Sequence, residues 1–311
     1  MTFYFGTMKS VLNILPPQYD IAPLLEKFRD AVSQSGEHVP DSWVDERLKS
    51  IAAGQEYCLG VVGDKLEGIL VYGITGSKTY GFIAWGEGKA GREDLLLLIK
   101  EYIDRAPQTT ELRISGVHPG VESELLGSVA AGFNFSFKRR YEMGLQLKER
   151  KEMQKPEGFE FKPILEFTDS VLSSLDMKAY EGTVDEHLIA ETEEENRVLM
   201  KSLLSGDYGP VIADASLCAL RDKMPVGMIA VTDLGDDAFV ADIAVLKEYR
   251  GTGLGKYLLC NAIDRCIDLK KKRLTLWVSE GNVPALSLYN SLGFERIREG
   301  DYYFLRREGK Q

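Results

Sequence analysis

One stretch of this chain combines glycine and positive charge at a spacing typical of anion-binding loops. Arg250 and Lys256 enclose three glycines at alternate positions, Gly251, Gly253 and Gly255. Glycine permits the sharp turns that expose consecutive backbone N–H groups, and a helix N-terminus adds a favourable dipole for an anion. The apolar residues that follow recur every four positions, which predicts a helix. The stretch is a candidate pyrophosphate site, although a tight strand-to-helix turn would use the same residues.

The loop differs from two other phosphate-binding patterns. A Walker loop needs serine or threonine where this chain has Tyr257, and a dinucleotide fingerprint needs glycine where it has Lys256. The first half does contain a literal GxGxxG between Gly86 and Gly91. The acid about 20 residues further on precedes the next strand instead of ending it, whereas a dinucleotide site needs it at the strand's end. We therefore interpret this motif as a turn, which leaves a nicotinamide-dependent oxidoreductase as the less favoured alternative.

Further polar residues lie on either side of the glycine loop. Asp242 is in the preceding apolar strand, DIAVL. In the later segment LTLWVSEGNVPALSLYNSLGFERI, Asn282 stands where a helix would start and Gly293 where it would end. Tyr289 lies at the edge of the apolar face of that predicted helix. Each has an ordinary structural alternative, namely a solvated aspartate, a helix cap and a core tyrosine.

The elements that position these residues occur twice along the chain. Apolar runs flank a polar turn at Gly63–Lys65 and again at Arg221–Lys223, which predicts a β-hairpin in each half. Each hairpin is followed by a strand, a glycine-rich loop and a helix. A later helix in each half stops at a Gly-Phe pair, Gly132–Phe133 and Gly293–Phe294. A repeat offset of about 160 residues indicates duplicated domains and not a solenoid.

The same pattern predicts the fold class. Hairpins mixed with helices predict α/β (α+β) domains, each with a mostly antiparallel mixed sheet flanked by helices. Helices are expected around Ile21–Ser33 and Ser42–Ala53, before the first hairpin. The polar segment LKERKEMQKPEGF places a boundary near Lys151. We therefore expect domains at residues 1–150 and 151–311.

Composition limits the function classes. The chain has 311 residues, a formal net charge of -10 and a pI of about 5.1. This balance argues against a nucleic-acid partner, because phosphate backbones need a basic face. No apolar run approaches the roughly 20 residues that span a membrane, and the first residues lack the pattern of a signal peptide. A cytoplasmic protein without a membrane partner is expected.

The cysteines and histidines show no metal-binding pattern. No CxxC pair occurs, and the histidines are scattered along the chain. These residues are Cys58, Cys218, Cys260, Cys266, His38, His118 and His187. Neither a zinc site, a disulfide framework nor a His-based triad is expected. Buried, reduced thiols are the simplest interpretation.

Two signatures together resemble the GCN5-related N-acetyltransferase (GNAT) family. Arg250-x-x-Gly253-x-Gly255 matches its [QR]xxGx[GA] loop, and the run from Asn282 to Phe294 matches its N-x-x-A-x-x-L-Y-x-x-x-G-F signature. The resemblance covers roughly the whole second half. The first half resembles a degenerate copy of the same domain, because it lacks the loop and carries Ser128 and Val121 where the second half carries Tyr289 and Asn282. The resemblance thus implies one acyl-CoA site per chain.

The resemblance also implies how acetyl-CoA would be held. The strand before the loop would pair its backbone with the pantetheine arm, and a backbone N–H near Val245 would polarise the thioester carbonyl. Asn282 would bond the cofactor arm or cap the next helix, and both roles stay open. The remaining cofactor-binding residues expected from the family are Ile243, Ala244, Arg250, Gly251, Thr252, Gly253, Leu254, Gly255, Lys256 and Tyr289.

Two residues are expected to move protons. Tyr289 is the expected general acid, since a phenol of pKa about 10 suits a thiolate whose conjugate acid lies near 8.5. Asp242 is the candidate base, because the family often carries an acid on this strand; a solvated or salt-bridged aspartate is the alternative.

Two acidic segments precede the second hairpin. Thr183 with Glu186 has the spacing of a capping box and predicts a helix start within YEGTVDEHL, where the family's acceptor wall usually forms. The run Glu191–Glu195 is interpreted as a solvated helix face, although it could also meet a cationic acceptor.

The resemblance implies an N-acetyltransferase that moves an acetyl group from acetyl-CoA to a primary amine of a small molecule or peptide. The amine would attack directly in a ternary complex, and the protein would be a monomer or homodimer. The alternative is a non-catalytic acyl-CoA-binding sensor or interaction module. A retained Tyr289 favours the enzyme, because a sensor needs the phosphate loop and no general acid.

Overall fold

The computed structural model describes residues 9–12, 19–34, 39–109, 111–151, 153–186, 188 and 190–307. They form a mixed α/β structure. The strands are β1 (Ser10–Leu12), β2 (Glu56–Val62), β3 (Leu66–Thr75), β4 (Lys78–Trp85), β5 (Glu111–Ser115), β6 (Ser136–Gln146), β7 (Glu160–Pro163), β8 (Leu217–Arg221), β9 (Met224–Leu234), β10 (Asp237–Val245), β11 (Arg273–Ser279) and β12 (Glu295–Arg306). The helices are α1 (Ala22–Gln34), α2 (Trp43–Ala52), α3 (Arg92–Arg105), α4 (Ser123–Gly132), α5 (Asp169–Tyr180), α6 (Glu193–Ser205), α7 (Leu254–Asp268) and α8 (Val283–Leu292).

The chain divides into two compact units, but not at Lys151. The first unit contains Met1–Arg139 together with Gly300–Gln311, and the second contains Arg140–Glu299. Strands β6 and β12 each run through a division point, so the end of the chain belongs to the first unit. The polar segment that suggested a boundary is part of the second unit, because Leu147 and Phe159 pack against its core. Charge along a segment therefore marked a surface and not a linker.

The first unit has the strand order β1-β2-β3-β4-β5-β12. Its strands pair antiparallel except for β4 and β5, which are parallel. Helices α1 and α2 cover one face, with Leu25 and Phe28 in that core. Helices α3 and α4 cover the other face, where Leu98 and Leu126 are fully buried. The expected helices at the start of this half are confirmed, within one or two residues at each end.

The second unit has the strand order β6-β11-β10-β9-β8-β7. Only β10 and β11 are parallel, and they pair solely through Asp237–Val240 and Arg273–Leu276. A register shift in β10 between Val240 and Asp242 coincides with the end of this pairing. Beyond it β10 continues to Val245 with β9 as its partner, so one edge of β10 is left open. A bulge that ends strand pairing in this way is a common device for opening a site.

Helices cover both faces of the second sheet. The α7 and α8 side is a core that includes Leu258, Ile263 and Leu292, and the α5 and α6 side is a core that includes Leu175 and Met200. The predicted hairpin β8–β9 is confirmed. Its two turn residues, Asp222 and Lys223, have φ of 50° and 66°, as expected of the two-residue turns that match the twist of antiparallel strands.

One predicted helix start is wrong. Thr183 does not begin a helix; its hydroxyl donates to the Tyr180 carbonyl and accepts from the Asp185 N–H, which closes a turn. The helix starts later, at α6, where Thr192 accepts from the Glu195 N–H. The Glu195 carboxylate in turn accepts from the Glu191 N–H. Both threonines have a glutamate three residues later, so the capping-box spacing alone could not decide between them.

Candidate functional site

The glycine loop joins β10 to α7 as the motif predicts. Gly251 and Gly253 have φ of 77° and 85°, in the left-handed region that favours glycine. A Cβ on Gly251 would meet no atom within 4 Å, so glycine is needed there for backbone conformation and not for space. α7 begins at Leu254 and runs for 15 residues, with its N-terminus at the loop.

The loop presents a row of unused backbone donors. None of the backbone N–H groups from Gly251 to Lys256 donates a hydrogen bond to a described residue. The next N–H group along the chain, that of Tyr257, donates to the Gly253 carbonyl at 2.9 Å. Lys256 adds an exposed positive charge. Unused donors, a helix dipole and a cation together suit an anion such as a pyrophosphate.

The side chains of Arg250 and Thr252 stabilise the loop through hydrogen bonds to backbone carbonyl oxygens. The Arg250 Nε donates to the Val245 carbonyl at 3.1 Å, and its Nη2 donates to the Ala179 carbonyl at the end of α5. The Thr252 hydroxyl donates to the Tyr249 carbonyl at 2.8 Å. Arg250 thus uses its Nε and Nη2 on carbonyl oxygens, and its expected contact with the cofactor stays a prediction. The side chain holds the loop against β10 and α5.

The open edge of β10 carries the backbone of Ile243 and Val245. Just beyond β10, the Leu246 N–H donates to the Val226 carbonyl of β9, and alternate residues of a strand direct their backbone groups to opposite edges. Ile243 and Val245 therefore face the open edge, where their carbonyls accept from Tyr180 and Arg250. The Val245 N–H remains on this edge, and Ala244 lies between them with its side chain buried.

Asn282 serves as a helix cap. Its Oδ1 accepts from the Ala285 N–H at 3.2 Å, and its Nδ2 donates to the Asp185 carboxylate at 2.8 Å. Of the two roles left open by the sequence, the structure shows the cap. The second bond ties the start of α8 to the turn after α5, which had been expected to be a helix.

Tyr289 is buried with an uncommitted hydroxyl. The residue is only 5% exposed and its ring lies 5.8 Å from that of Phe294. Its hydroxyl makes no hydrogen bond to any described residue, unlike a typical core tyrosine. Burial, followed by the nearby carboxylates of Asp242 and Asp185, raises the pKa of the phenol. The group therefore keeps its proton at neutral pH and can donate it.

Asp242 is part of a buried carboxyl pair. Its Oδ1 accepts from the Tyr180 hydroxyl at 3.1 Å, and it shares a hydrogen bond with Asp176. Asp176 also accepts from the Asn196 amide at 2.6 Å. Burial first, and then the Asp176 charge, raise the pKa of Asp242 well above its usual range. The raised pKa favours the protonated form of this carboxyl group, and the role of Asp242 as general base stays a prediction.

The residues that bond to Asp242 and to its neighbouring carboxyl group were not predicted from the sequence. Asp176 and Asn196 lie on helices α5 and α6, among residues that face the core. A polar residue at an apolar position of a helix is the one signal that could have identified them. Tyr180 had been assigned only to a predicted helix start. The pairing itself depends on how two helices pack on β10, which no short motif encodes.

In the first unit, backbone N–H groups at the connection between β4 and α3 are already bonded to other parts of the protein. The Trp85 N–H donates to the Pro119 carbonyl, and the Gly86 N–H donates to the Glu67 carbonyl. Lys27 donates to the carbonyls of Trp85 and Gly86. The second unit has an open strand edge and unused N–H donors at this point. In the first unit the corresponding N–H groups of Trp85 and Gly86 are hydrogen-bonded. The literal GxGxxG motif is thus a turn, as interpreted from the sequence.

The remaining expectations concern metals, thiols and membranes. All four cysteines are buried and free. Within the described ranges no group of three or more His, Cys, Asp or Glu residues could hold a metal ion. His118 is buried, with its Nδ1 at 3.0 Å from the Val121 carbonyl, while His38 and His187 lie outside the described residues. None of the described helices is long and apolar enough to cross a membrane.

Comparison with known proteins converges on one family. Residues 178–294 match the model of the acetyltransferase (GNAT) family. A ribosomal protein bS18-alanine N-acetyltransferase of Escherichia coli K12 is 37% identical over 79 residues, which are 24% of this chain and 51% of that protein. The chain thus spans about half the length of the curated relative that it matches.

Two solved structures resemble nearly the whole chain. A GCN5-related N-acetyltransferase from Sphaerobacter thermophilus aligns with a TM-score of 0.62 at 16% identity, over 97% of this chain and 96% of that one. A tandem GNAT protein from the clavulanic acid biosynthesis pathway aligns with a TM-score of 0.54 at 12% identity, over 98% and 100%. At these identities the likeness concerns the fold. Together these matches show a GNAT-type fold for the chain and an acetyltransferase (GNAT) family match for residues 178–294.

Proposed function

We propose that the second unit is an N-acetyltransferase that moves an acetyl group from acetyl-CoA to a primary amine. The observation that carries the proposal is the row of unused N–H donors from Gly251 to Lys256, set at the N-terminus of α7 and continuous with the open edge of β10. A pyrophosphate on the loop leaves an extended arm free to run along that edge. Acetyl-CoA has both parts, and it supplies an activated thioester for transfer to nitrogen.

The residues of β10 would orient the thioester. Its open edge would pair with the amide groups of the pantetheine arm, and the Val245 N–H would donate to the thioester carbonyl. A fixed donor of this kind stabilises the oxyanion that develops when the amine attacks, and removing one typically costs about 100-fold to 1,000-fold in rate. Arg250 supports this arrangement by holding the Val245 carbonyl, which keeps the strand from closing against the loop.

Tyr289 would protonate the departing thiolate. Its hydroxyl is uncommitted and its raised pKa keeps the proton in place until a thiolate forms. A non-catalytic acyl-CoA sensor has no need of such a donor. We assign the proton of the attacking amine to solvent and not to Asp242, because the raised pKa of Asp242 favours its protonated form. The acceptor must therefore reach the site as a neutral amine.

The acceptor is proposed as a class. The Escherichia coli relative is named for acetylation of an alanine in a ribosomal protein, so peptide amines belong among the candidates, along with small-molecule amines. Asp185 bonds to Asn282 and lies close enough to Tyr289 to act on its pKa. A carboxylate at this position would favour an acceptor that carries a second, cationic group.

The test is release of free thiol from acetyl-CoA by the purified protein with pooled acceptors: polyamines, amino acids, aminoglycosides and short peptides. Release with one pool is expected, together with its loss in Lys256→Glu, which places a negative charge at the phosphate loop. Lys223→Glu, in the β8–β9 turn, is the matched control and should keep full activity. A protein that binds acetyl-CoA but releases no thiol with any pool would instead be a binding module.

A further inference from the structure

The first unit contains a cavity that the proposed acetyl transfer does not use. Its volume is about 360 Å³, within the range of roughly 300–1,000 Å³ typical of small-molecule sites. It lies between the sheet and helices α1 and α2, and β2, β3, β4, β5 and β12 contribute to its walls. All its lining residues belong to the first unit.

The walls are unusually rich in aromatic rings. Six of the thirteen lining residues are aromatic, against 10% of the chain. Phe28 lies 5.8 Å from Trp43 and 4.0 Å from Phe82, measured between ring centroids, so the three form one stacked wall. On the neighbouring strands Arg113 lies between the rings of Tyr80 and Tyr302, at 5.1 and 4.6 Å from their centroids. Stacked and flanking rings of this kind suit a planar partner.

A glycine separates two of the lining residues, Glu56 and Tyr80, across the sheet. In the strand register Glu56 is opposite Gly73, and Gly73 is opposite Tyr80. No side chain therefore stands between a carboxylate and an aromatic ring on this face. A Cβ on Gly73 would come within 3.2 Å of the Glu56 side chain, so a larger residue there would press against Glu56.

The charges that line the cavity are already balanced. Arg47 pairs with Glu56, Arg113 with Glu111, and Asp301 with Arg139. A ligand with a net charge would have to disrupt one of these pairs, which costs more than it returns in a partly buried setting. The cavity therefore favours an uncharged ligand.

Two polar atoms at the wall have no partner. Arg47 and Glu56 are joined by a single contact, Nη1 to Oε1, although guanidinium and carboxylate groups can form two parallel bonds. The Nε of Arg47 and the Oε2 of Glu56 are enclosed and lack any hydrogen-bond partner among the described residues. The Arg47 side chain is 30% exposed, so its guanidinium can turn and uncover both atoms. A donor and an acceptor then stand side by side.

We propose that this cavity binds an uncharged, planar heteroaromatic molecule with a hydrogen-bond donor and an acceptor on one edge, of which a nucleobase is one example. Its ring packs against the Trp43 wall. Its polar edge meets Arg47 and Glu56, donating to the Glu56 carboxylate and accepting from the Arg47 Nε.

The test is a titration with benzimidazole, followed by quenching of tryptophan fluorescence in the full-length protein. We expect saturable quenching with a Kd of about 1 mM or tighter. The quenching signal should disappear in Trp43→Phe, which removes the reporter. The methylated analogue 1-methylbenzimidazole keeps the shape without the N–H donor and should bind at least tenfold more weakly. Benzamidine and benzoate, a planar cation and a planar anion, should also bind more weakly.

Two variants locate the site. Glu56→Gln keeps the shape of the side chain and should weaken benzimidazole binding about tenfold, as the loss of one charge-assisted hydrogen bond implies. Tyr57→Ala removes an aromatic ring next to Glu56 that does not line the cavity, and it should leave the Kd unchanged. No saturable binding up to about 10 mM would overturn the proposal, as would equal affinity in Glu56→Gln or tighter binding of either charged analogue.

Discussion

At the scale of single residues, the two expected proton-transfer groups, Tyr289 and Asp242, differ in their hydrogen bonding. Tyr289 is buried, its hydroxyl makes no hydrogen bond to a described residue, and its raised pKa keeps the phenol protonated at neutral pH. Asp242 is partly buried, with its Oδ2 enclosed, and it is bonded to Tyr180 and to a second carboxyl group. The same physical cause, removal from water, raises the pKa of both groups, because it disfavours the charged form of each.

Tyr289→Phe should lower kcat about 100-fold or more, as expected for the loss of a general acid, while the Kd for acetyl-CoA changes less than twofold. Steady-state kinetics and calorimetric titration measure the two quantities. Tyr102→Phe is the matched control, because Tyr102 is a buried tyrosine of the first unit and should not affect transfer. Near-normal turnover in Tyr289→Phe would remove this residue from the mechanism.

Asp242→Asn should keep kcat within about threefold, because the amide mimics the protonated carboxyl and can donate to Asp176. A 100-fold loss would restore the base assignment. The raised pKa means that the folded state holds a proton which the unfolded chain releases at its ordinary pKa. The wild type therefore loses stability as pH rises from about 4 through the raised value. Unfolding measured across pH should show the variant gaining stability relative to the wild type over that window.

At the scale of elements, the site is where β10 parts from β11 and where α7 begins. The bulge after Val240 ends one ladder, and two left-handed glycines turn the chain so that successive N–H groups have no protein acceptor. Arg250 and Thr252, which the family signature marks for the cofactor, stabilise that turn through carbonyl oxygens. The signature thus combines residues that contact a ligand with residues that hold the loop in shape.

Gly251→Ala should weaken acetyl-CoA binding about fivefold to tenfold, since a left-handed conformation costs a residue with a Cβ about 1 kcal/mol and a relaxed loop loses its row of donors. Gly235→Ala is a close control: Gly235 has φ of 75° and equally open space around it, in the turn between β9 and β10. Both variants should lose similar stability in thermal unfolding, but only Gly251→Ala should change the Kd. Equal Kd values for the two would show that the loop does not bind the cofactor.

At the scale of the whole molecule, the two units differ at the connection from a strand to the helix that follows it, β4 to α3 in the first unit and β10 to α7 in the second. In the first unit the Trp85 N–H is bonded to Pro119, and Asp94 caps the start of α3 by accepting from the Gly91 N–H. A carboxylate at that helix N-terminus occupies the place where an anion would bind. We therefore propose a single acetyl-CoA site per chain, in the second unit.

Calorimetric titration should give one acetyl-CoA per chain, and Lys256→Glu should remove most of that signal. Because the variant lies in the second unit, any binding that survives it reports on the first. A stoichiometry of two, or a full-affinity site that persists in Lys256→Glu, would contradict the assignment of the first unit as a degenerate copy.

The sequence by itself determined the local features of this protein. Glycine spacing placed the loop and the start of α7, Asn282 and Gly293 bounded α8, and polar turns between apolar runs located the hairpins. These signals depend on backbone conformation and on short-range periodicity, which neighbouring residues settle among themselves.

Only the tertiary structure decided the features that join distant residues. Asp176, Asn196 and Asp242 meet because two helices pack on one strand, and the polar segment near Lys151 belongs to the second unit because its apolar residues reach a core. The return of β12 to the first unit likewise needs a strand partner far away in the chain. Such contacts depend on burial and on which surfaces fit together, and a linear pattern of residue types contains neither.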